Sequence, residues 1–348
     1  MRDDTRSALL HSFRPQLIPL DYNLVAAVFP LMKIFPAAYC INRAEQEGLI
    51  SKDSIIVETS SGSMALGLAM VCNWSGYRLH IVTDTVCDDV LKRRLEDLSA
   101  HVEIVSKPAP EGGFQLARLD RVKELCQRGD NWWWVNQYDN LANATSYSTI
   151  ATQLAGELGR VDCVIGCVGT GGSMCGVSSY LRKLFPHLYV VGIDTFGSVL
   201  FGQPDRPRKL RGLGNSLLPR NLDHTCFDEV HWVSVEEAYT ATRILHQTTS
   251  LFRGGTSGAC WMVARYWAKR NPGKRAVCLF ADDGQRYVDL IYNDQEMRAN
   301  GCWLPTLPEK PSEVANPAEA GPTWSYIKWT RRNYSEVVSQ PYLITAVS

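Results

Sequence analysis

Short runs of β-branched and aromatic residues punctuate the chain at 55–57, 79–82, 102–105, 132–135, 163–167, 190–193, 230–233 and 276–280. Each is too short for a helix and apolar enough to predict a strand buried on both faces. Stretches of helical length lie between them. Residues 63–73 are one, with Met64, Leu66, Leu68, Met70 and Val71 dense enough to bury most of a helix circumference. Repeated strand–helix alternation predicts an α/β protein of mostly parallel, twisted sheets flanked by helices. Ligands of such folds gather beyond the carboxyl ends of the strands. No internal repeat is visible.

Two segments break the alternation. Residues 24–41 are apolar except for Lys33. A lysine at mid-bilayer costs roughly 2.5–3.5 kcal/mol, and Pro30 and Pro36 interrupt any helix of that length, so the segment reads as buried in a soluble protein. After Leu304 the composition shifts, with five prolines from Pro305 to Pro322, which predicts an extended appendage. Its Trp324-Ser325-Tyr326-Ile327-Lys328-Trp329 run predicts that the end docks on something apolar.

The 348 residues carry 36 basic and 36 acidic side chains, so no global field exists to hold nucleic acid or an anionic membrane. Small-molecule chemistry is the expectation. Eleven cysteines lie scattered from Cys40 to Cys302 without a CxxC pair, which predicts neither a disulfide framework nor a zinc site but reduced thiols. The N-terminus, Met1-Arg2-Asp3-Asp4, lacks the basic-then-apolar order of a secretory signal, so a cytoplasmic protein is expected.

Three places carry candidate chemistry. The strand at 163–167 ends in Gly169-Thr170-Gly171-Gly172-Ser173 and opens onto a helical stretch. Glycines let backbone N–H groups approach a phosphate, a helix N-terminus adds partial positive charge, and Thr170 and Ser173 add hydroxyls; on its own the run reads equally as a plain glycine-rich strand-to-helix turn. A second strand–turn–helix, Glu58-Thr59-Ser60-Ser61-Gly62-Ser63-Met64, is rich in hydroxyl groups and suits a carboxylate; on its own it reads equally as a multiply capped helix. Lys33, desolvated by its apolar neighbours, loses basicity and gains nucleophilicity, as Schiff-base chemistry requires; a lysine snorkelling to water is the plainer alternative.

In this order the segments resemble the cysteine synthase and cystathionine β-synthase family of pyridoxal-phosphate enzymes, the fold-type II group, from about Lys33 to Tyr287. Counting back from Ala44-Glu45-Gln46-Glu47-Gly48-Leu49-Ile50 places Lys33 at the family's Schiff-base lysine. The resemblance implies that Ser60, Ser61, Gly62, Ser63 and Gln137 take the substrate α-carboxylate. It assigns the cofactor phosphate to Gly169, Thr170, Gly171, Gly172 and Ser173. Gly212, in Gly212-Leu213-Gly214-Asn215, would lie beside the cofactor ring, Ser63 would face the ring hydroxyl, and Thr256 would meet the pyridine nitrogen. Asp282, in the family's closing loop Phe280-Ala281-Asp282-Asp283-Gly284-Gln285-Arg286-Tyr287, would also contact the cofactor.

The resemblance further implies two α/β domains with pyridoxal 5'-phosphate in the cleft between them. They are a smaller one at 21–150 after a terminal segment 1–20, a larger one at 151–300, and a Pro-rich extension at 301–348. It implies β-replacement on L-serine, O-acetylserine or O-phosphoserine through an aminoacrylate, with a small nucleophile, in a homodimer, giving cysteine or a specialised β-substituted alanine. The alternatives are β-elimination and a catalytically silent interaction protein. A nicotinamide dehydrogenase ranks last, because Met174 stands where the third glycine of a dinucleotide fingerprint belongs. Two departures stand out. Lys33 lies in Phe29-Pro30-Leu31-Met32-Lys33-Ile34-Phe35, unlike the family's surroundings, and Ser63 replaces the family's asparagine. With 32 residues ahead of Lys33, the strand before it is expected to be shortened or missing.

Overall fold

The computed structural model describes residues 2–110 and 112–338, and its strands fall into two sheets. The strands are β1 (Gln16–Asp21), β2 (Leu24–Val28), β3 (Ile55–Thr59), β4 (Arg78–Asp84), β5 (His101–Val105), β6 (Trp132–Trp134), β7 (Cys163–Cys167), β8 (Tyr189–Thr195), β9 (Glu229–Val233), β10 (Ala276–Phe280), β11 (Ser312–Glu313) and β12 (Ser325–Lys328). The helices that frame them are α1 (Arg2–Ser12), α2 (Ile34–Gln46), α3 (Ser63–Ser75), α4 (Asp89–Asp97), α5 (Gly113–Cys126), α6 (Ala142–Thr145), α7 (Ser148–Leu158), α8 (Gly172–Leu184), α9 (Val235–Thr249) and α10 (Gly255–Arg270).

The smaller sheet runs β5-β4-β3-β6, parallel throughout. The larger runs β1-β2-β10-β7-β8-β9-β12-β11, with β2, β10, β7, β8 and β9 parallel and β1 and β12 antiparallel to their inner neighbours. The parallel strands of the larger sheet are buried along most of their length, as near-continuous apolar runs require, whereas β5 and β6 at the rims of the smaller sheet are half-buried or exposed.

Residues 24–41 are mostly buried, as expected. They divide into β2, a turn at 29–33 and α2. The strand expected to be shortened or missing before Lys33 is present as β2, five buried residues paired with β10 from Leu24↔Ala276 to Val28↔Phe280. Its small Ala26 and Ala27 blend into the apolar helix that follows, which hides the boundary in the sequence. Residues 24–28, expected within the smaller domain, therefore pair into the larger sheet. The Trp324–Trp329 run docks by becoming β12 on the free side of β9, with Trp324 and Trp329 buried. Met1 and residues 339–348 of the expected extension lie outside the described residues.

Helices α2 and α3 pack closely beside the smaller sheet. A Cβ at Gly67 would come within 2.9 Å of the Lys33 carbonyl oxygen, so only glycine permits this approach of α3 to the start of α2. Ile34, Ile41 and Leu68 are fully buried nearby, each contributing about 1.5–3 kcal/mol by burial. This packing fixes where Lys33 emerges. Among the described residues no helix is long and apolar enough to cross a membrane.

Candidate active site

Three neighbouring strands of the larger sheet, β2, β10 and β7, end at one edge, and the residues that follow them build the floor of a cleft. The turn after β2 lies on the end of β10: the Phe29 N–H donates to Phe280 O at 3.0 Å and the Met32 N–H to Ala281 O at 2.8 Å. Lys33 follows directly, at the N-terminal boundary of α2 without capping it. Burial lowers its pKa to about 8, and no neighbouring charge opposes the shift.

After β7 comes the glycine cradle. Gly171 has φ +82°, and a Cβ there would lie 2.6 Å from Leu222 Cα; a Cβ at Gly172 would lie 2.7 Å from Asn143 Cγ. Both positions thus require glycine because the neighbouring chain packs against them. Helix α8 starts at Gly172 with no side-chain cap, which leaves its N-terminal amides open to an anion, and Thr170 and Ser173 are buried beside it.

Thr256, in the first turn of α10, closes the floor. Its carbonyl accepts a hydrogen bond from Cys167 Sγ at 3.3 Å, while its own Oγ1 is buried without a partner. A Cβ at Gly212 would stand 2.9 Å from Thr256 Cγ2, and one at Gly169 would stand 3.6 Å from the Gly212 carbonyl oxygen. Gly169, Gly212 and Thr256 therefore converge.

The opposite wall comes from the smaller sheet. Ser60 Oγ accepts the N–H groups of Gly62 and Ala65, each at 3.2 Å, and so shapes the turn into α3 while its own proton stays available. Ser61 and Gly62 are half-buried in that turn. Ser63 Oγ donates to Asp282 Oδ2 at 3.3 Å, and Tyr287 OH donates to the same oxygen at 3.0 Å. Burial raises the Asp282 carboxyl above its ordinary range, and its Oδ1 has no partner. Gln137 is brought to the base of the loop, its Nε2 donating to Thr59 O at 2.8 Å.

Residues 32–282 match the family described as pyridoxal-phosphate dependent enzyme. The chain belongs to that family. This pyridoxal-phosphate dependent enzyme is 35% identical over 265 residues to an N-(2-amino-2-carboxyethyl)-L-glutamate synthase of Cupriavidus metallidurans, covering 74% of this chain and 78% of that protein. It is likewise 35% identical to the synthase of the same description from Ralstonia nicotianae, over 75% of this chain and 78% of that one. Among solved structures it is similar to a hydrogen sulfide-producing enzyme of Fusobacterium nucleatum, with TM-score 0.73, 26% identity, and coverage of 78% of this chain and 96% of that one. Family membership sets aside the dinucleotide reading of the glycine loop.

The residues present fit pyridoxal phosphate. The orphaned Thr256 Oγ1 lacks the partner that a ring nitrogen would supply, and the bare cradle at Gly169–Ser173 suits a phosphate. Three residues that the sequence pattern did not single out hold Gln137, and two of them, Asn143 and Asn221, join the two walls. Glu58 is fully buried, accepts from the N–H groups of Thr59 (2.7 Å) and Gln137 (2.9 Å) and from Trp134 Nε1 (3.3 Å), and is pushed by burial to about 7. Asn143 Nδ2 donates to Gln137 O at 2.7 Å and to Thr170 Oγ1 at 3.3 Å, and Asn221 Nδ2 donates to Gln137 O at 2.9 Å. The carboxylate loop and the phosphate cradle thus share one hydrogen-bonded frame. Arg211 is solvent-exposed.

Proposed function

We propose that this enzyme catalyses β-replacement on an activated L-serine, with the amino group of an acidic amino acid such as L-glutamate as nucleophile, giving a β-substituted alanine. The observation that carries the reading is the neutral Thr256 hydroxyl, orphaned where the ring nitrogen would sit. A neutral donor leaves that nitrogen unprotonated and weakens electron withdrawal, which favours chemistry at the β-carbon over deeper carbanion formation. The two named synthases, whose product name describes an alanine joined through its β-carbon to glutamate, support the choice of nucleophile.

When bound, pyridoxal phosphate supplies the electron sink that lets the α-proton and the β-substituent leave. Lys33 would hold the cofactor, and its Nζ, with its lowered pKa, would suit the role of taking the α-proton of the substrate. Gly169, Thr170, Gly171, Gly172 and Ser173 would hold its phosphate at the N-terminus of α8. Ser60, Ser61, Gly62 and Ser63 orient the α-carboxylate, and Gln137, pinned by Glu58, Asn143 and Asn221, supports that loop. Asp282 holds Ser63 in place.

We place the protein in the cytoplasm, which cysteines that form no disulfide among the described residues support, and expect a homodimer of the kind its family commonly forms. The test is product analysis with L-serine, O-acetylserine and O-phosphoserine, each with and without L-glutamate or sulfide. A β-substituted alanine formed only when both substrates are present is expected. Pyruvate released without any second substrate would instead establish β-elimination, the reading to which the hydrogen sulfide-producing neighbour points.

A further inference from the structure

Arg286 lies in the turn after β10, outside every role assigned so far. Its guanidinium stands at the carboxylate loop: a Cβ at Gly62 would be 3.7 Å from Nη1. The side chain is only 11% exposed, and its centre lies 5.9 Å from the Tyr287 ring, whose hydroxyl holds Asp282. An arginine fork carries five donors. Here Nη2 donates to Asp88 Oδ2 at 2.7 Å, while Nε is buried without a partner. Asp88 and Asp282 already favour its charge, but a buried donor left unspent is costly until an acceptor completes it.

Asp88 is poorly suited to be that acceptor permanently. It is 41% exposed and gives Arg286 a single hydrogen bond rather than the two-pronged contact a guanidinium favours. Its other oxygen, Oδ1, caps α4 by accepting the Leu91 N–H at 2.7 Å. Asp88 therefore keeps its structural bond when Arg286 turns away, so exchanging partners is inexpensive.

We infer that Arg286 recognises a second anionic group on a substrate, beyond the α-carboxylate, and that Asp88 holds its place until the substrate arrives. The inference rests on the β-replacement reading, which supplies two sources of such a group: the distal carboxylate of an acidic amino-acid nucleophile, or an anionic leaving group on the serine. Either would enter beside the α-carboxylate held at Ser60 to Ser63. Arg286 is then the residue that separates acidic substrates from neutral ones.

Calorimetric titration of the cofactor-loaded protein with three unreactive probes tests this. L-alanine carries the α-carboxylate alone, L-glutamate adds a distal carboxylate, and L-2-amino-4-phosphonobutyrate mimics a phosphorylated serine that cannot be cleaved. Arg286→Gln should weaken glutamate or the phosphonate by about tenfold or more while leaving alanine within about twofold, and the probe that suffers names the source. Arg286→Lys should restore part of the loss, and Asp88→Asn should tighten the same probe. Equal loss for all three probes would make Arg286 a structural residue, and no loss for either acidic probe would likewise overturn the inference. Wild-type protein that binds none of the three, alanine included, would overturn the β-replacement reading itself.

Discussion

Ser63 Oγ reaches across the cleft to Asp282 Oδ2 at 3.3 Å, so the first residue of α3 and the residues following β10 hold each other in register. Ser63→Ala removes this tie without touching the core. Unfolding in urea should change by no more than about 0.5–1.5 kcal/mol. The KM for the amino-acid donor should rise several-fold in steady-state kinetics, because the loop that takes its carboxylate loses an anchor.

Only the neutral form of Lys33 attacks an aldehyde or accepts a proton. With its pKa lowered from 10.5 to about 8, cofactor attachment should quicken about tenfold per pH unit below 8 and level off above it, as followed by stopped-flow absorbance. Stability follows the same window. Between pH 8 and 10.5 the unfolded chain binds more protons at this lysine than the fold does, so cofactor-free protein gains stability as pH rises, and Lys33→Met should flatten that slope.

Gly171→Ala forces a side chain into a left-handed backbone and against Leu222. Affinity for pyridoxal phosphate, measured by fluorescence titration, should fall by at least about tenfold, with about 1–3 kcal/mol lost from folding stability.

Sequence and structure agree best where physics is local. The eight apolar runs became strands, six of them buried along most of their length as parallel strands covered on both faces require, whereas β5 and β6, the outer strands of the smaller sheet, are half-buried or exposed. That the glycines at 169–172 join a strand to a helix N-terminus was legible from their spacing, which a plain glycine-rich turn would share. β1, with Pro19 at its centre, and β12, embedded among prolines, carry no such pattern; they are strands because the flanks of the larger sheet offer them partners. Glu58, Asn143 and Asn221 were illegible for a related reason. Their roles consist of contacts with residues distant in sequence, such as Glu58 with Gln137 and Asn221 with Gln137, and no spacing rule announces those.

Glu58 gives the opposite pH signature to Lys33. Burial raises it from 4.5 to about 7, so between those values the fold holds a proton that the unfolded chain has released. Stability should therefore fall as pH rises through this window, and wild type should lose roughly 3 kcal/mol more than Glu58→Gln between its two ends. Urea melts at pH 4.5 and 7 provide the comparison.

Trp329 is fully buried, with its ring centroid 5.2 Å from that of Phe201 and its Nε1 donating to Arg332 O at 2.7 Å. Trp329→Ala should cost about 3–5 kcal/mol in denaturant unfolding. Donor KM should stay near wild type, because the residue packs far along the sheet from Lys33.

The larger sheet is closed by both ends of the described chain, while β3 to β6 leave the ribosome as one uninterrupted stretch. Vectorial synthesis therefore gives the two halves different histories. The smaller sheet can assemble from strands that are near neighbours in sequence, but Leu24 must wait for Ala276, and β9 stays uncovered until β12 has been made. A transcript cut short before residue 325 would yield a polypeptide carrying every residue of the cofactor cleft yet presenting the bare hydrogen-bonding edge of β9, a template for aggregation rather than for catalysis.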